Sequence, residues 1–153
     1  MELVLVGIER ASAPRDVWRA VSEMRPASVL DVCAAAPDIA EAMVISDGGR
    51  FEAYVVMHGG FDSFEVLADM VASCIGCASS QVMGCLYAAE GFDAALHALH
   101  VASGYDTFCD GFFVCRSDAR RVRRFRCSRR IGCVHKASRC VCGEIRNMQR
   151  GPR

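Results

Sequence analysis

Basic residues are scarce over most of this 153-residue chain. Residues 1–115 hold five arginines against 16 Asp and Glu, a balance of −11. Residues 116–153 reverse it, with 13 Arg and Lys against 2 Asp and Glu, so the formal net charge is zero. Charge segregated in this way marks two segments with different jobs, and a basic tail can bind nucleic acid or the acidic body of its own chain.

Other absences narrow the class. No basic segment precedes the first apolar run, so no secretory signal is expected. No long clean apolar run exists either. Met70–Ala89 carries no charge, but Gly76, Gly84, three serines and Gln81 interrupt it. A membrane helix wants about 20 mostly apolar residues, so this stretch is expected to be two buried elements and a loop, with no membrane partner. Internal repeats are missing. The ten cysteines lack the regular spacing of a small secreted disulfide scaffold. Free thiols over residues 1–115 and a reducing cytoplasm are the expectation.

What is present reads as a compact domain. Glu2–Ile8 is a Val- and Leu-rich run, hence a buried strand. Ser12-Ala13-Pro14 followed by Asp16 predicts a helix start, with Val17, Val21 and Met24 on one face. Pro26 should end or interrupt that helix, and a second helical piece is predicted over Val29–Ala36. Ala42–Ser46 and Arg50–His58 are two strands around Asp47-Gly48-Gly49, where Asp-Gly predicts a tight turn through positive φ. Gly59-Gly60 closes the second strand. Asp62 and Glu65 predict a capped helix with Phe64, Leu67, Ala68 and Val71 on one side. Cys85–Ala89 is the last predicted strand. Asp93 opens a final helix with Leu96, Leu99 and Ala102 inward and Gly104 as its stop.

The order is β-α-β-β-α-β plus a C-terminal helix, an α+β arrangement with two helices against one face of an antiparallel sheet. It fits a ferredoxin-like plait. Beyond Gly111 no helical or strand period persists, and Arg, Cys, Ser and Gly dominate. That is the composition out-of-frame reading of GC-rich coding DNA yields. Residues 112–153 are therefore expected to form a basic tail, poorly ordered or out of frame, behind a domain spanning residues 1–111.

Three anchors carry a resemblance to one family. Residues 5–14, Leu-Val-Gly-Ile-Glu-Arg-Ala-Ser-Ala-Pro, are similar to an opening V-G-[LI]-[NS]-H-R-[TS]-A-P, matching at Gly7, Ser12, Ala13 and Pro14. Arg10 and Ala11 stand where that pattern has His-Arg. Residues 42–55 are similar to V-[IL]-S-T-C-N-R-x-E-x-Y, matching at Ser46, Arg50, Glu52 and Tyr54. Residues 94–107 are similar to A-V-x-H-L-F-x-V-A-[SA]-G-L-D-S, matching at His97, Ala102, Ser103, Gly104 and Asp106, with Thr107 a hydroxyl-for-hydroxyl change. In this order they resemble the N-terminal catalytic domain of glutamyl-tRNA reductase.

The resemblance implies the ferredoxin-like fold and the first committed step of tetrapyrrole synthesis, NADPH-dependent reduction of glutamyl-tRNA to glutamate-1-semialdehyde. The family's chemistry begins with a cysteine thiolate attacking the ester. Here that position is Gly48, between Asp47 and Gly49, and glycine has no side chain to attack with. Arg50 remains at a position suited to holding a glutamate carboxylate, and His97 stands at the family's important histidine. Asp47, Gly49, Arg50 and Thr107 are the implied substrate contacts. The family's E-x-Q-I-L-G-Q-V is replaced by Phe112 to Ala119, and no G-x-G-x-x-G follows. The resemblance thus implies a reductase homologue without catalytic power. No cofactor is expected in this chain, because the family holds NADPH through a domain not seen here. Glutamyl-tRNA or a full-length reductase is the expected partner.

Competing readings of the same residues stay open. Arg50 could be a solvated arginine at a strand start, and His97 a helix-surface histidine beside His100. Asp47 is explained by the turn without any catalytic part. Cys74-x-x-Cys77 is an isolated pair without the strand-helix context of a redox motif. The tail's Cys127, Cys133, His135, Cys140 and Cys142 supply enough zinc ligands, but C-x5-C-x-H-x4-C-x-C lacks paired knuckles. Its arginines could contact tRNA phosphates in a non-catalytic binding protein, although only Phe125 offers a base a ring there.

Overall fold

The computed structural model describes residues 1–58 and 63–101 in full, and the backbone of residues 102–103, 112–118 and 121–127. Its elements are β1 (Glu2–Glu9), α1 (Arg15–Glu23), α2 (Pro26–Ala35), β2 (Ile39–Ser46), β3 (Arg50–Met57), α3 (Ser63–Ile75), α4 (Ser79–Met83), β4 (Leu86–Glu90), α5 (Gly91–Ser103), β5 (Phe112–Asp118) and β6 (Arg121–Cys127). The sheet runs β4-β1-β3-β2-β5-β6 and every neighbouring pair is antiparallel. Its first four strands have the split order of a ferredoxin-like plait, as the sequence predicts, with β3 inserted between β1 and β2.

Local chemistry accounts for the helix boundaries. Pro26 interrupts the helical run as expected, with α1 ending at Glu23, and it also opens α2 at the first helical position. A proline there lacks only an N–H that would have no intrahelical partner. The residue before a proline is pushed out of the α region, and Arg25 obeys with φ −80° and ψ 120°. The break between α1 and α2 therefore falls at Met24 and Arg25, and the second helix begins three residues earlier than expected. The short α4 was not anticipated; it lies in the interrupted stretch between α3 and β4.

Two apolar layers flank the sheet. Val4, Val6, Ile8, Val44, Phe51, Ala53 and Val55 face Val17 and Val21 of α1, Leu30 and Cys33 of α2, and Leu67 and Val71 of α3. On the other face Leu5, Met43, Ile45 and Tyr54 pack against Ala94, Ala95, Ala98 and Val101 of α5. Of the predicted inward residues, Leu99 packs partly buried against this layer, Leu96 instead turns outward at 38% exposure, and the Ala102 side chain lies outside the described residues. The sheet presents bulky Tyr54, Met43 and Tyr87 here, so the small alanines are the side chains that fit beneath the helix.

Covering both faces has one consequence for chemistry. Every residue of β3 is buried, including Arg50 and Glu52 at 0% exposure. A carboxylate and a guanidinium removed from water must be paired and hydrogen-bonded.

β5 and β6 lie where an irregular tail was expected. β5 pairs with β2, and β6 with β5. Antiparallel pairing at a sheet edge is a backbone property, which is why an arginine-rich stretch without a hydrophobic period can form it. The predicted Gly59-Gly60 stop, Asp62 cap and Gly104 stop, and the proposed zinc ligands of the tail, lie outside the fully described residues. Among the described residues, no group of His, Cys, Asp and Glu could hold a metal ion, and no helix is long and apolar enough to cross a membrane.

Candidate functional site

The family-like residues meet at the β2–β3 turn and directly beneath it. The turn is closed by Asp47. Its Oδ1 accepts from the backbone N–H groups of Gly49 and Arg50, both at 2.7 Å, and its own N–H donates to the Arg50 carbonyl at 3.0 Å. A short carboxylate bonding the backbone two residues on is an Asx turn. Among the described residues the positive-φ glycines are Gly76 and Gly91, so the expected left-handed glycine is not what makes this turn. The carboxylate does that work. Gly48 sits exposed at the tip.

Below the tip, alternation along β3 places Arg50, Glu52 and Tyr54 on the face covered by α5. Glu52 is the hub. Its Oε2 accepts from the Tyr54 hydroxyl at 2.8 Å. Its Oε1 accepts from the Tyr87 hydroxyl at 2.6 Å and faces His97 Nε2 at 2.7 Å and an Arg50 terminal nitrogen at 3.5 Å. An ionised carboxylate only accepts, so His97 carries its hydrogen on Nε2. The Tyr87 and His97 rings meet edge-on, centroids 5.9 Å apart. Arg50 also reaches up to the turn, with Nε 3.5 Å from Asp47 Oδ2. One cluster therefore ties β3, β4, α5 and the turn together.

The electrostatics agree with this assignment. Burial alone would raise the Glu52 carboxyl, but hydrogen bonds from His97, Tyr87 and Tyr54 outweigh it and hold its pKa below the ordinary value. Burial and the neighbouring carboxylate push both the Tyr54 and the Tyr87 phenols up. The stable state is one charged carboxylate surrounded by protonated donors.

Gly7 makes the geometry possible. In the sheet register Tyr87, Gly7 and Glu52 lie side by side on β4, β1 and β3. A Cβ at Gly7 would sit 2.2 Å from Tyr87 Cζ, so only a residue without one lets the ring cross β1 and reach the carboxylate.

These positions resolve several open readings. Arg50 is no solvated arginine; it is enclosed between two carboxylates. His97 is no free helix-surface histidine, although its side chain is 26% exposed. Asp47 builds the turn. Thr107 lies outside the described residues. Tyr87 and the spacer role of Gly7 were missed. A glutamate centred in the apolar run from Arg50 to Met57 was the available signal, since a charge buried there requires donors from neighbouring elements.

No described cysteine replaces a nucleophile at Gly48. Cys33, Cys74, Cys77 and Cys85 are free thiols associated with the α1–α3 layer, on the sheet face opposite Glu52. Burial pushes Cys33 up to about 12 and raises Cys74 and Cys85 as well. A thiol held protonated is a poor nucleophile.

Comparison with known proteins bears on the family of the chain. The family model "Glutamyl-tRNAGlu reductase, N-terminal domain" matches residues 6–111. A glutamyl-tRNA reductase of Corynebacterium diphtheriae is 34% identical over 118 residues, covering 72% of this chain and 26% of the relative. The chain thus spans about a quarter of that relative's length.

Proposed function

The chain belongs to the glutamyl-tRNA reductase family, and from that premise we propose that it is a glutamyl-tRNA-binding domain that does not reduce its ligand. The observation that carries this reading is the contrast at the β2–β3 turn. The residues Asp47, Arg50, Glu52, Tyr54, Tyr87 and His97 are assembled into one cluster, while Gly48 above it offers no atom that can take an acyl group. Thioester formation needs a sulfur to attack the ester carbonyl as the tRNA hydroxyl leaves. Without that step there is no activated acyl group for NADPH to reduce. What remains is a binding role, on glutamyl-tRNA itself, in the reducing cytoplasm the sequence favours.

The test uses the 153-residue chain, NADPH and glutamyl-tRNA labelled in its amino acid. The expected result is retention of the charged tRNA over the uncharged one, with no glutamate-1-semialdehyde above background. Formation of the semialdehyde, or equal retention of both tRNAs, would overturn the proposal.

A further inference from the structure

A second site lies on the other side of the same turn. A cleft of about 650 Å³ opens between the turn and the outward side of α1, with Ser46, Asp47 and Gly48 along one wall. The opposite wall carries Arg15, Trp18 and Arg19 of α1, and Arg10 stands at the end of β1. Positions 15, 18 and 19 share one side of the helix, while Val17 and Val21 point into the core. A backbone hydrogen bond from Arg10 N–H to the Gly49 carbonyl, 2.8 Å, fixes the β1 end against the turn.

The charge distribution is unlike that of the surrounding domain. Residues 1–115 contain five arginines in all, and three of them line this cleft. All three are exposed. Among the described residues, none of the three is in an ion pair. The one carboxylate in the lining, Asp47, has its side chain 1% exposed and is engaged with Arg50 and the turn. The cleft therefore presents three uncompensated cations to solvent. The single tryptophan of the chain, Trp18, is half-buried among them, one part packed on the core and the rest lining the cleft.

Cations that track a backbone, beside a ring on which a base can stack, are the parts of a single-strand nucleic-acid site. We propose that this cleft binds the single-stranded end of an RNA, with phosphates on Arg10, Arg15 and Arg19 and a base against Trp18. The inference rests on the proposed function, since the RNA it would hold is the charged tRNA. It adds where that RNA lies: on the α1 side of the turn, leading its 3′ end past Gly48 toward the Arg50–Glu52 side.

Trp18 supplies the readout, because its fluorescence reports this cleft alone. The full chain is titrated with a single-stranded RNA hexamer carrying no amino acid. The expected result is saturable quenching, with log affinity falling against log salt at a slope of about −2, as three single-strand phosphate contacts give. The double variant Arg15→Glu/Arg19→Glu, checked for folding by circular dichroism, should lose at least about tenfold in affinity. Arg25→Glu, a single Arg-to-Glu change at a residue that does not line the cleft, should lose much less than either Arg15→Glu or Arg19→Glu alone. Absence of quenching, or hexamer affinity unchanged in the double variant, would overturn the inference. Because the hexamer is uncharged by glutamate, the proposed function can fail on charged tRNA while this site stands, and the reverse.

Discussion

Two polar regions meet at the Asp47–Gly49 turn and handle charge in opposite ways. On the α5 side, Glu52 and Arg50 are fully buried; the carboxylate accepts from Tyr54 and Tyr87 and meets His97, while Arg50 Nε faces Asp47 Oδ2 at 3.5 Å as an ion pair without a hydrogen bond. On the α1 side, Arg10, Arg15 and Arg19 are exposed and face no described partner. The difference separates scaffold from surface. A charge enclosed with its partners orders the elements that supply them, and its removal is felt as instability. A charge left in water contributes little to folding and stays available to a ligand.

Substitutions should sharpen that contrast. Glu52→Ala has the largest expected effect, about 3–5 kcal/mol by urea unfolding, because it leaves Arg50 buried with half its compensation gone. The pH dependence follows from the same group. Its folded pKa lies below the ordinary 4.5, so its stabilising contribution is complete above about that pH. The contribution is lost as pH falls through the lower folded value. Unfolding curves of the wild type and Glu52→Gln should therefore differ most near neutrality and converge in acid.

Gly7→Ala should cost about 3 kcal/mol, at the top of the range for overpacking, since the new methyl meets the Tyr87 ring. The cost should be partly recovered when Tyr87 is also truncated to Ala, which a double-mutant cycle measures directly. Tyr87→Phe removes one hydrogen bond to a charged group and should cost about 1.5 kcal/mol. Arg15→Glu/Arg19→Glu is the smallest, within about 0.5 kcal/mol. A large loss of stability in that double variant would erase the distinction between the two sides.

Most of the fold was legible in the sequence because its signals are local. Proline and aspartate at helix starts, the apolar run of β1 and the Leu67–Val71 face of α3 all follow from short-range pattern. Legibility failed where the third dimension decided. The alanine face of α5 became the buried one because the sheet beneath it is bulky. β5 and β6 form through backbone pairing that composition does not encode. At the site, the motif residues Glu52 and His97 were visible, but the contact between them spans 45 positions. Tyr87 belongs to a strand whose partners are set by sheet order, so its hydroxyl could not be placed on Glu52 from spacing alone. Gly7 was visible as a motif residue and silent about its reason, which is the ring lying across it.

The measurement closest to the central claim puts a thiol back at the tip of the turn. Gly48→Cys and the wild-type chain are each incubated with glutamyl-tRNA labelled in the amino acid, then denatured and counted for label bound to protein. The sulfur would bond to the acyl carbon as the ester carbon–oxygen bond breaks, and the tRNA hydroxyl would leave with a proton. The account predicts hydroxylamine-sensitive label on Gly48→Cys and none on the wild type. Label on the wild-type chain would show that another group serves as nucleophile, and absence of label on a folded Gly48→Cys would show that the cluster beneath no longer supports the family's first step.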